Sequence, residues 1–265
     1  PESGAGKAKK IWPLLKQQML MANMSFEHQF TTSTQKADVI VPHAVSRGVR
    51  KFICLGGDGN LQDILNGIML QKTCAPNEIT VGMVSAGTGN DWIKTYNIPK
   101  DIVGALKVIL NGKTLIQDVG KCTYRLPDNS EADRYFHNFA GVGFDSYVLE
   151  NTASLKKFGT IAYLLGMLRC IISFKQPEIE ISANGKTIKT KVYLMLAGIG
   201  KFGGGGMKLT PGAQADDGLF YVTVAKNFNL FEIIMNVGRL YSGTFISHHK
   251  VETFACTRLS VSSKD

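Results

Sequence analysis

The sequence lacks the cysteine patterns of a disulfide-rich or zinc-binding protein. Its 265 residues include five cysteines, which are scattered and are never arranged as Cys-x-x-Cys. An odd number of scattered cysteines within apolar runs is typical of buried thiols in a reducing compartment. We therefore predict a cytoplasmic protein without disulfides or a zinc site.

Long hydrophobic runs are also missing. The most apolar segment, residues 161–174, is interrupted by Arg169 and is shorter than the ~20 residues that a membrane-spanning helix needs. Lys156, Lys157 and Lys175 flank it. A core helix with a solvated basic end is the simpler interpretation, and a surface helix that touches lipid headgroups is the alternative.

Acidic residues are in deficit. The 30 Lys and Arg residues exceed the 21 Asp and Glu residues and give a net charge of +9. Such a balance favours an anionic partner, which could be a nucleotide, a nucleic acid or an acidic membrane surface. The basic and aromatic residues are not interleaved as they are on the surfaces of nucleic-acid-binding proteins, so we do not expect a nucleic-acid partner.

The length predicts two domains, and the pattern of elements changes near Gly120. Strands and helices alternate in residues 1–119, which indicates a parallel, doubly wound α/β sheet. Residues 120–265 are predicted to form a mostly antiparallel β domain with helices near residues 153–174 and 229–241, and Asn184-Gly185 is a strong signal for a two-residue hairpin. Strands are predicted at residues 27–31, 52–55, 79–84, 115–119, 135–139, 178–183, 186–197, 219–225 and 253–261.

The most informative stretch is residues 51–69. An apolar run ends at Gly56-Gly-Asp-Gly59, after which apolar residues recur at helical spacing. A strand, a glycine loop and a helix N-terminus in this order aim unpaired backbone N–H groups at an anion, and glycine lets a phosphate approach closely. A carboxylate at Asp58 would repel a phosphate unless it holds Mg²⁺ or contacts a substrate hydroxyl. The loop therefore predicts phosphoryl chemistry.

Several motifs follow one another in a characteristic order. They are Pro1-x-Ser-Gly-x-Gly-Lys7, Gly56-Gly-Asp-Gly59, Gly87-Thr-Gly-Asn-Asp91, Asp118-Val-Gly-Lys121, Asn138 with Gly141-x-Gly-Phe-Asp145, and Pro211-x-Ala with Asp216-Asp-Gly218. In this combination they resemble the diacylglycerol kinase catalytic family, in particular its bacterial soluble lipid kinases, with sphingosine, ceramide and NAD kinases as more distant relatives. The resemblance covers nearly the whole chain.

The resemblance implies a fold that is α/β plus mostly β. A phosphofructokinase-like nucleotide-binding domain would occupy residues 1–119, and a β-sandwich lipid-substrate domain residues 120–265. It also implies an ATP- and Mg²⁺-dependent lipid kinase that transfers the γ-phosphoryl group to a diacylglycerol-like hydroxyl. Its partners would be the nucleotide and a lipid at an anionic membrane surface, which the cytoplasmic protein meets peripherally. A homodimer is left open.

The resemblance also implies site residues. Asp58 and Asp118 would be catalytic, and Asp118 would be associated with Mg²⁺, while Asp216 and Asp217 would bind a second, structural metal. The alternatives are that Asp118 caps a strand end and that Asp216 and Asp217 begin a turn. The implied nucleotide contacts are Thr32, Gly56, Gly57, Asp58, Gly59, Asn60, Gly87, Thr88, Asn90 and Asp91.

The chain departs from the family pattern in two places. Asn60 replaces the threonine of the glycine loop; because asparagine is still a capping and hydrogen-bonding residue, the loop is expected to survive. The chain stops at Asp265, before the family's Asp-Gly-Glu, whose acid is the proposed general base; we expect truncation. Because the equivalent aspartate is a candidate base in sphingosine kinases, Asp58 is a candidate both for the nucleotide contact and for the general base.

Two other functions remain open. An NAD kinase-like kinase of a soluble substrate is one, although the Gly-Ser-Thr-Ala-Tyr-type segment of NAD kinases is not found. The other is a catalytically silent nucleotide-binding regulator. The missing Asp-Gly-Glu supports the regulator, whereas intact Asp58, Asp91 and Asp118 oppose it.

Overall fold

A computed structural model describes residues 6–32, 35–152 and 169–263 of the chain. It separates into two compact units, the first formed by Pro1–His137 with Gly204–Gly206 and the second by Asn138–Gly203 with Met207–Asp265. This division falls after His137, whereas the sequence pattern changes near Gly120. The residues between these two points form a hairpin that packs in the first unit.

The first unit contains a parallel pair of strands, β1 and β2, in which Lys51 lies opposite Thr80 and Gly56 opposite Ser85. The α/β prediction for this half of the chain is confirmed. β3 and β4 form the separate antiparallel hairpin. The elements are α1 (Lys7–Met21), α2 (Ala37–Ser46), β1 (Lys51–Gly56), α3 (Asp58–Leu70), β2 (Thr80–Ser85), α4 (Asp91–Thr95), α5 (Ile102–Leu110), β3 (Gly120–Arg125) and β4 (Glu131–Phe136).

Helices cover both faces of the β1–β2 pair. Cys54 and Met83 point to one face and pack with the buried residues of α2 and α3. Leu55 and Val84, the next residue along each strand, pack with α1 and α5 on the other face. Since side chains alternate across a strand, a strand buried on both faces is apolar throughout, which explains the continuous apolar run of β1.

Two predicted strands are wrong, because residues 27–31 and 115–119 are not strands in the structure. Among the described residues β1 pairs only with β2, so neither segment has a ladder of backbone hydrogen bonds to join. Both segments and β1 line a partly open cavity of about 1800 Å³. The residue pattern of these two segments therefore predicted strands that have no pairing partner in the described part of the chain.

Every strand pair in the second unit is antiparallel, as predicted. The long strand β7 is central, because β6 pairs with its first half and β5 and β10 pair with its second half. The elements are β5 (Phe139–Gly143), α6 (Phe144–Thr152), β6 (Glu178–Ala183), β7 (Lys186–Gly198), β8 (Phe202–Gly203), β9 (Met207–Lys208), β10 (Phe220–Lys226), α7 (Leu230–Ser242), β11 (Val251–Cys256) and β12 (Leu259–Ser263).

Local sequence signals located most boundaries in this unit. The Asn184-Gly185 turn joins β6 to β7, and both residues are left-handed, with φ of 52° and 72°, as a type I′ turn requires. Two strands predicted as single are each divided: residues 253–261 form parts of β11 and β12, and residues 135–139 contain the end of β4 and the start of β5. Most of the helix predicted at 153–174, with Lys156 and Lys157, and residues 1–5 of the first motif lie outside the described residues.

No helix within the described ranges is long and apolar enough to cross a lipid bilayer.

The Gly185→Ala substitution tests the left-handed turn. A Cβ at Gly185 would meet no atom within 4 Å, so the cost comes from the positive φ alone and should be about 1 kcal/mol. Gly238→Ala in α7 is the matched control, since a Cβ there also meets nothing within 4 Å. It should stabilise the protein by roughly 0.5–1 kcal/mol, because alanine is the better helix former. Urea unfolding measures both, and shifts of the same sign would contradict this explanation.

Candidate functional site

Two glycine loops meet at the carboxyl edge of the β1–β2 pair. The first follows β1 at Gly56 and the second follows β2 at Ser85, and the Ala86 N–H donates to the Gly56 carbonyl at 2.7 Å. Adjacent parallel strands place such loops side by side, and ligands commonly bind at this edge. Two of the motifs quoted from the sequence are therefore brought together.

The two loops touch through glycine. A Cβ on Gly87 would lie 2.5 Å from the Gly57 Cα and 2.8 Å from Asn90 Oδ1. A Cβ on Gly57 would lie 2.9 Å from the Gly87 Cα. Real Cβ atoms do not approach so closely, so this backbone contact excludes any other residue at either position.

Asp58 joins the same loops with its carboxylate. It is the first residue of α3, and its Oδ2 and Oδ1 accept hydrogen bonds from the Asp91 and Trp92 N–H groups, each at 3.1 Å. These N–H groups belong to the first turn of α4. One carboxylate therefore begins one helix and caps another, where negative charge is favourable. The catalytic role predicted for Asp58 stays a prediction.

Asn90 closes the second loop. It is buried and left-handed, with φ of 49°. Its Oδ1 accepts from the Gly87 N–H at 3.0 Å, and its Nδ2 donates to the Gly87 carbonyl at 2.7 Å. The side chain predicted to contact the nucleotide thus shapes the loop, and Thr88 is left exposed at its tip.

Asp91 is a buried carboxylate whose partners the sequence reasoning missed. Its side chain is 7% exposed and pairs with Lys94 at 2.6 Å, and Lys94 also donates to the Gly89 carbonyl at 3.0 Å. The Gly205 N–H donates to Asp91 Oδ2 at 2.8 Å. The spacing of Asp91 and Lys94 on a helix was an available signal for the ion pair. Gly205 lies 114 residues away and gave no local signal.

The two remaining polar residues predicted for the nucleotide side act locally. Asn60 does not cap α3, because α3 begins at Asp58 and Gly57 is its N-cap. The Asn60 side chain instead reaches back toward the Leu55 carbonyl, at 3.5 Å. Thr32 is exposed, and its Oγ1 accepts from the Gln35 N–H at 3.0 Å. The nucleotide contacts of both residues stay predictions.

Gln117 attaches the segment that carries Asp118 to α4. Its Oε1 accepts from Trp92 Nε1 and from the Tyr96 hydroxyl, each at 2.6 Å, and its Nε2 donates to the His137 carbonyl at 2.7 Å. Asp118 is half-buried beside it. Because Mg²⁺ keeps several waters and typically takes one or two carboxylates, a single half-buried carboxylate fits such an ion.

Asp216 and Asp217 lie in the second unit and are exposed. Asp217 accepts hydrogen bonds from the Leu219 N–H at 3.0 Å and from the Tyr221 hydroxyl at 2.6 Å. These bonds hold a turn that leads into β10. The hydrogen bond to Asp217 raises the pKa of the Tyr221 hydroxyl. In the described part of the chain, His, Cys, Asp and Glu side chains form no group of three or more that could hold a metal. The structural metal stays a prediction.

His137 is a buried histidine of the first unit. Its Nδ1 lies 3.0 Å from Gln62 Oε1, and the Gln62 amide nitrogen donates to the Tyr135 carbonyl. This orientation of the amide makes His137 Nδ1 the donor, and Nε2 has no partner among the described residues. Burial lowers the pKa of His137 to about 4, and the nearby Asp58 charge only partly offsets it.

Two family models together match most of the chain. The model described as "Diacylglycerol kinase catalytic domain" matches residues 1–122, and the one described as "YegS C-terminal NAD kinase beta sandwich-like domain" matches residues 138–265. The chain belongs to the diacylglycerol kinase catalytic domain family. Both the resemblance and the predicted fold, an α/β domain followed by a β-sandwich domain, are confirmed.

Individual members of this family are similar across the whole chain. A protein named diacylglycerol kinase from Staphylococcus carnosus strain TM300 is 28% identical over 265 residues, covering 99% of this chain and 82% of that protein. One from Staphylococcus haemolyticus strain JCSC1435 is also 28% identical, covering 99% of this chain and 76% of that protein. A crystal structure of a diacylglycerol kinase from Bacillus anthracis strain Sterne shares the fold, with a TM-score of 0.61, 20% identity and coverage of 89% and 74%.

Removing the Asp58 carboxylate should destabilise the first unit. Asp58→Ala deletes the acceptors of two backbone N–H groups and should cost roughly 2–3 kcal/mol, whereas Asp58→Asn keeps one acceptor and should cost less. Asp101→Ala is the matched control, because Asp101 caps α5 through one bond to the Gly104 N–H at 2.8 Å. It should cost about 1 kcal/mol. Urea unfolding measures the free energy of unfolding of each variant. Equal losses of this free energy in Asp58→Ala and Asp101→Ala would contradict the double role of Asp58.

His137 should make stability fall in acid. Its pKa is about 4 in the folded protein, below the ordinary 6.5, so the unfolded chain binds the proton more tightly. Stability is therefore complete above pH 6.5 and declines toward pH 4, by on the order of 3 kcal/mol. His137→Leu should flatten this part of the pH profile, while His43→Leu, at an exposed position, should not. An unchanged slope in His137→Leu would show that other groups cause the decline.

Proposed function

We propose that this protein is an ATP- and Mg²⁺-dependent lipid kinase that transfers the γ-phosphoryl group of ATP to the hydroxyl of a diacylglycerol-like lipid. The observation that carries the proposal is the pair of glycine loops that Asp58 holds together, in a member of the diacylglycerol kinase catalytic domain family. The relatives named diacylglycerol kinase suggest the acceptor.

The first unit is proposed to bind the nucleotide. Gly57, the N-cap of α3, has no side chain, so it leaves the first-turn N–H groups of Asp58 and Gly59 without a capping side chain. Such groups, at the positive end of a 13-residue helix, favour phosphate oxygens. Gly59 and Thr88 are exposed and would meet the phosphates. A Cβ on Gly59 would meet no atom within 4 Å, so the space beside it is open, whereas the other glycines of both loops face protein atoms and would serve to pack the loops together.

Catalysis would come from positioning and electrostatics, because phosphoryl transfer needs little covalent chemistry from the protein. Asp118 would hold Mg²⁺, which when bound neutralises phosphate charge. Gln117, anchored to Trp92 and Tyr96, would fix the position of Asp118. Asp58 fixes the loops, and because each carboxylate oxygen can accept more than one hydrogen bond, it can still accept the proton of the lipid hydroxyl.

The lipid acceptor is proposed to bind the second unit, which matches the β-sandwich family model. A long-chain lipid is delivered in a bilayer, so the protein must reach a membrane surface. The net charge of +9 favours an anionic surface. We therefore propose a peripheral, reversible association.

The test is transfer of labelled γ-phosphate from ATP by the full-length protein. A panel of lipids in mixed micelles and, separately, NAD without detergent would be offered with and without Mg²⁺. We expect Mg²⁺-dependent labelling of a lipid, and a loss of at least about a hundredfold in Asp118→Asn. Asp133→Asn removes an exposed carboxylate that pairs with Lys121 in the same unit, and it should retain activity.

Other results would identify the alternatives. Labelling of NAD with no labelled lipid would make the protein a kinase of a soluble substrate. Nucleotide binding without transfer to any acceptor would make it a catalytically silent regulator. Equal activity in Asp118→Asn and Asp133→Asn would remove Asp118 from the proposed mechanism.

A further inference from the structure

Helix α7 is apolar on its outer side as well as its inner side. Its inner side packs through Ile233 and Leu240 against a buried cluster around Phe228 and Phe245. Its outer side exposes large apolar side chains, of which Phe231 is 71% and Met235 64% exposed. A contiguous exposed apolar patch on a helix normally marks a surface that contacts a partner or a membrane. The exposed residues, here called the α7 face, are Leu230, Phe231, Ile234, Met235, Val237 and Tyr241.

The α7 face is a continuous strip along the helix. Residues four and seven positions apart lie on one side of a helix, which aligns Phe231 with Met235 and Ile234 with Tyr241. From Leu230 to Tyr241 the strip runs for about 16 Å. An aromatic ring stands near each end, and aromatic rings are favoured at the boundary between lipid headgroups and acyl chains.

The C-terminal end of the α7 face carries positive charge. The acidic residue of α7, Glu232, is paired with Lys250 at 2.7 Å and also accepts the Asn229 N–H at 2.9 Å. Arg239 lies in the last turn. The Lys208 side chain is beside the helix C-cap, 3.2 Å from where a Cβ on Gly243 would be. The acid is thus neutralised, and the remaining charges complement an anionic surface.

A second copy of the chain is a poorer match for the α7 face. Six partly exposed side chains on one short helix offer a few hundred Å², whereas a stable protein interface buries roughly 800 Å² on each partner. A helix lying in a bilayer surface needs only its own apolar strip and basic flanks. The size and the charge of the strip therefore favour a membrane.

We propose that the α7 face is the surface through which this protein lies on an anionic bilayer, with its apolar side chains among the acyl chains and Arg239 and Lys208 at the headgroups. This deepens the proposed function and rests on it for one point, that the acceptor lipid is reached in a membrane. It assigns the membrane contact to one helix of the second unit.

A matched pair of charge substitutions tests the proposal. Ile234→Glu places an acid on the α7 face, and Val39→Glu places one on the exposed side of α2; the two side chains are 58% and 53% exposed. Each protein is sedimented with vesicles of phosphatidylcholine alone or mixed with phosphatidylglycerol. We expect binding to the mixed vesicles to fall at least about tenfold in Ile234→Glu only. Thermal unfolding of both variants verifies that each remains folded.

A fluorescent variant reports how deeply the helix inserts. Phe231→Trp adds one tryptophan on the α7 face to Trp12 and Trp92 of the first unit. Acyl chains brominated near their headgroup end should quench the added emission in mixed vesicles, while wild-type emission changes less. Added emission that is not quenched in bound protein would place the membrane contact elsewhere and overturn the proposal.

The other outcomes separate this proposal from the proposed function. Unchanged vesicle binding in Ile234→Glu overturns the membrane surface, and so does a wild-type dimer that Ile234→Glu converts to a monomer. Transfer of phosphate to a short-chain diacylglycerol dissolved as monomers tests the kinase activity without a bilayer. Loss of vesicle binding with short-chain activity retained supports both proposals. Absence of short-chain activity in every protein contradicts the kinase alone.

Discussion

The candidate site depends on one carboxylate that receives two backbone hydrogen bonds. Asp58 begins α3 and accepts the Asp91 and Trp92 N–H groups of α4. Those bonds hold the loop after β1 against the loop after β2. At Gly57 and Gly87 the two backbones are so close that no side chain fits between them. A charged acceptor forms stronger bonds than a neutral one, so an aspartate suits this position on structural grounds alone.

The acidic residues of the site therefore differ in what they contribute. Asp91 is buried, paired with Lys94 and bonded to the Gly205 N–H, so its charge is used within the protein. Asp118 lies on a segment that Gln117 attaches to α4 and is half-buried. A loss of activity after substitution of Asp58 or Asp91 would mix chemistry with loop geometry. Asp118 is the carboxylate whose substitution best reports on chemistry.

The sequence predicted elements where local chemistry decides them. The Asn184-Gly185 turn, the two glycine loops and α7 were all found, because turn residues and helical periodicity act over a few positions. Pairing was harder to predict, as residues 27–31 and 115–119 show, since a strand exists only when another strand receives its hydrogen bonds. The partners of the site residues were missed for the same reason. Gly205 reaches Asp91 across 114 residues, and the bond of Gln62 to His137 crosses 75.

The most direct test of the central claim is to follow the backbone amide resonances of both glycine loops while ATP is added with Mg²⁺. If the loops that Asp58 joins form the phosphate site, the largest shifts should occur at Gly59 and at Thr88 and Gly89, with smaller shifts in the second unit. Saturable ATP binding that leaves these amides unchanged would contradict the account, because the nucleotide would then bind elsewhere on the protein.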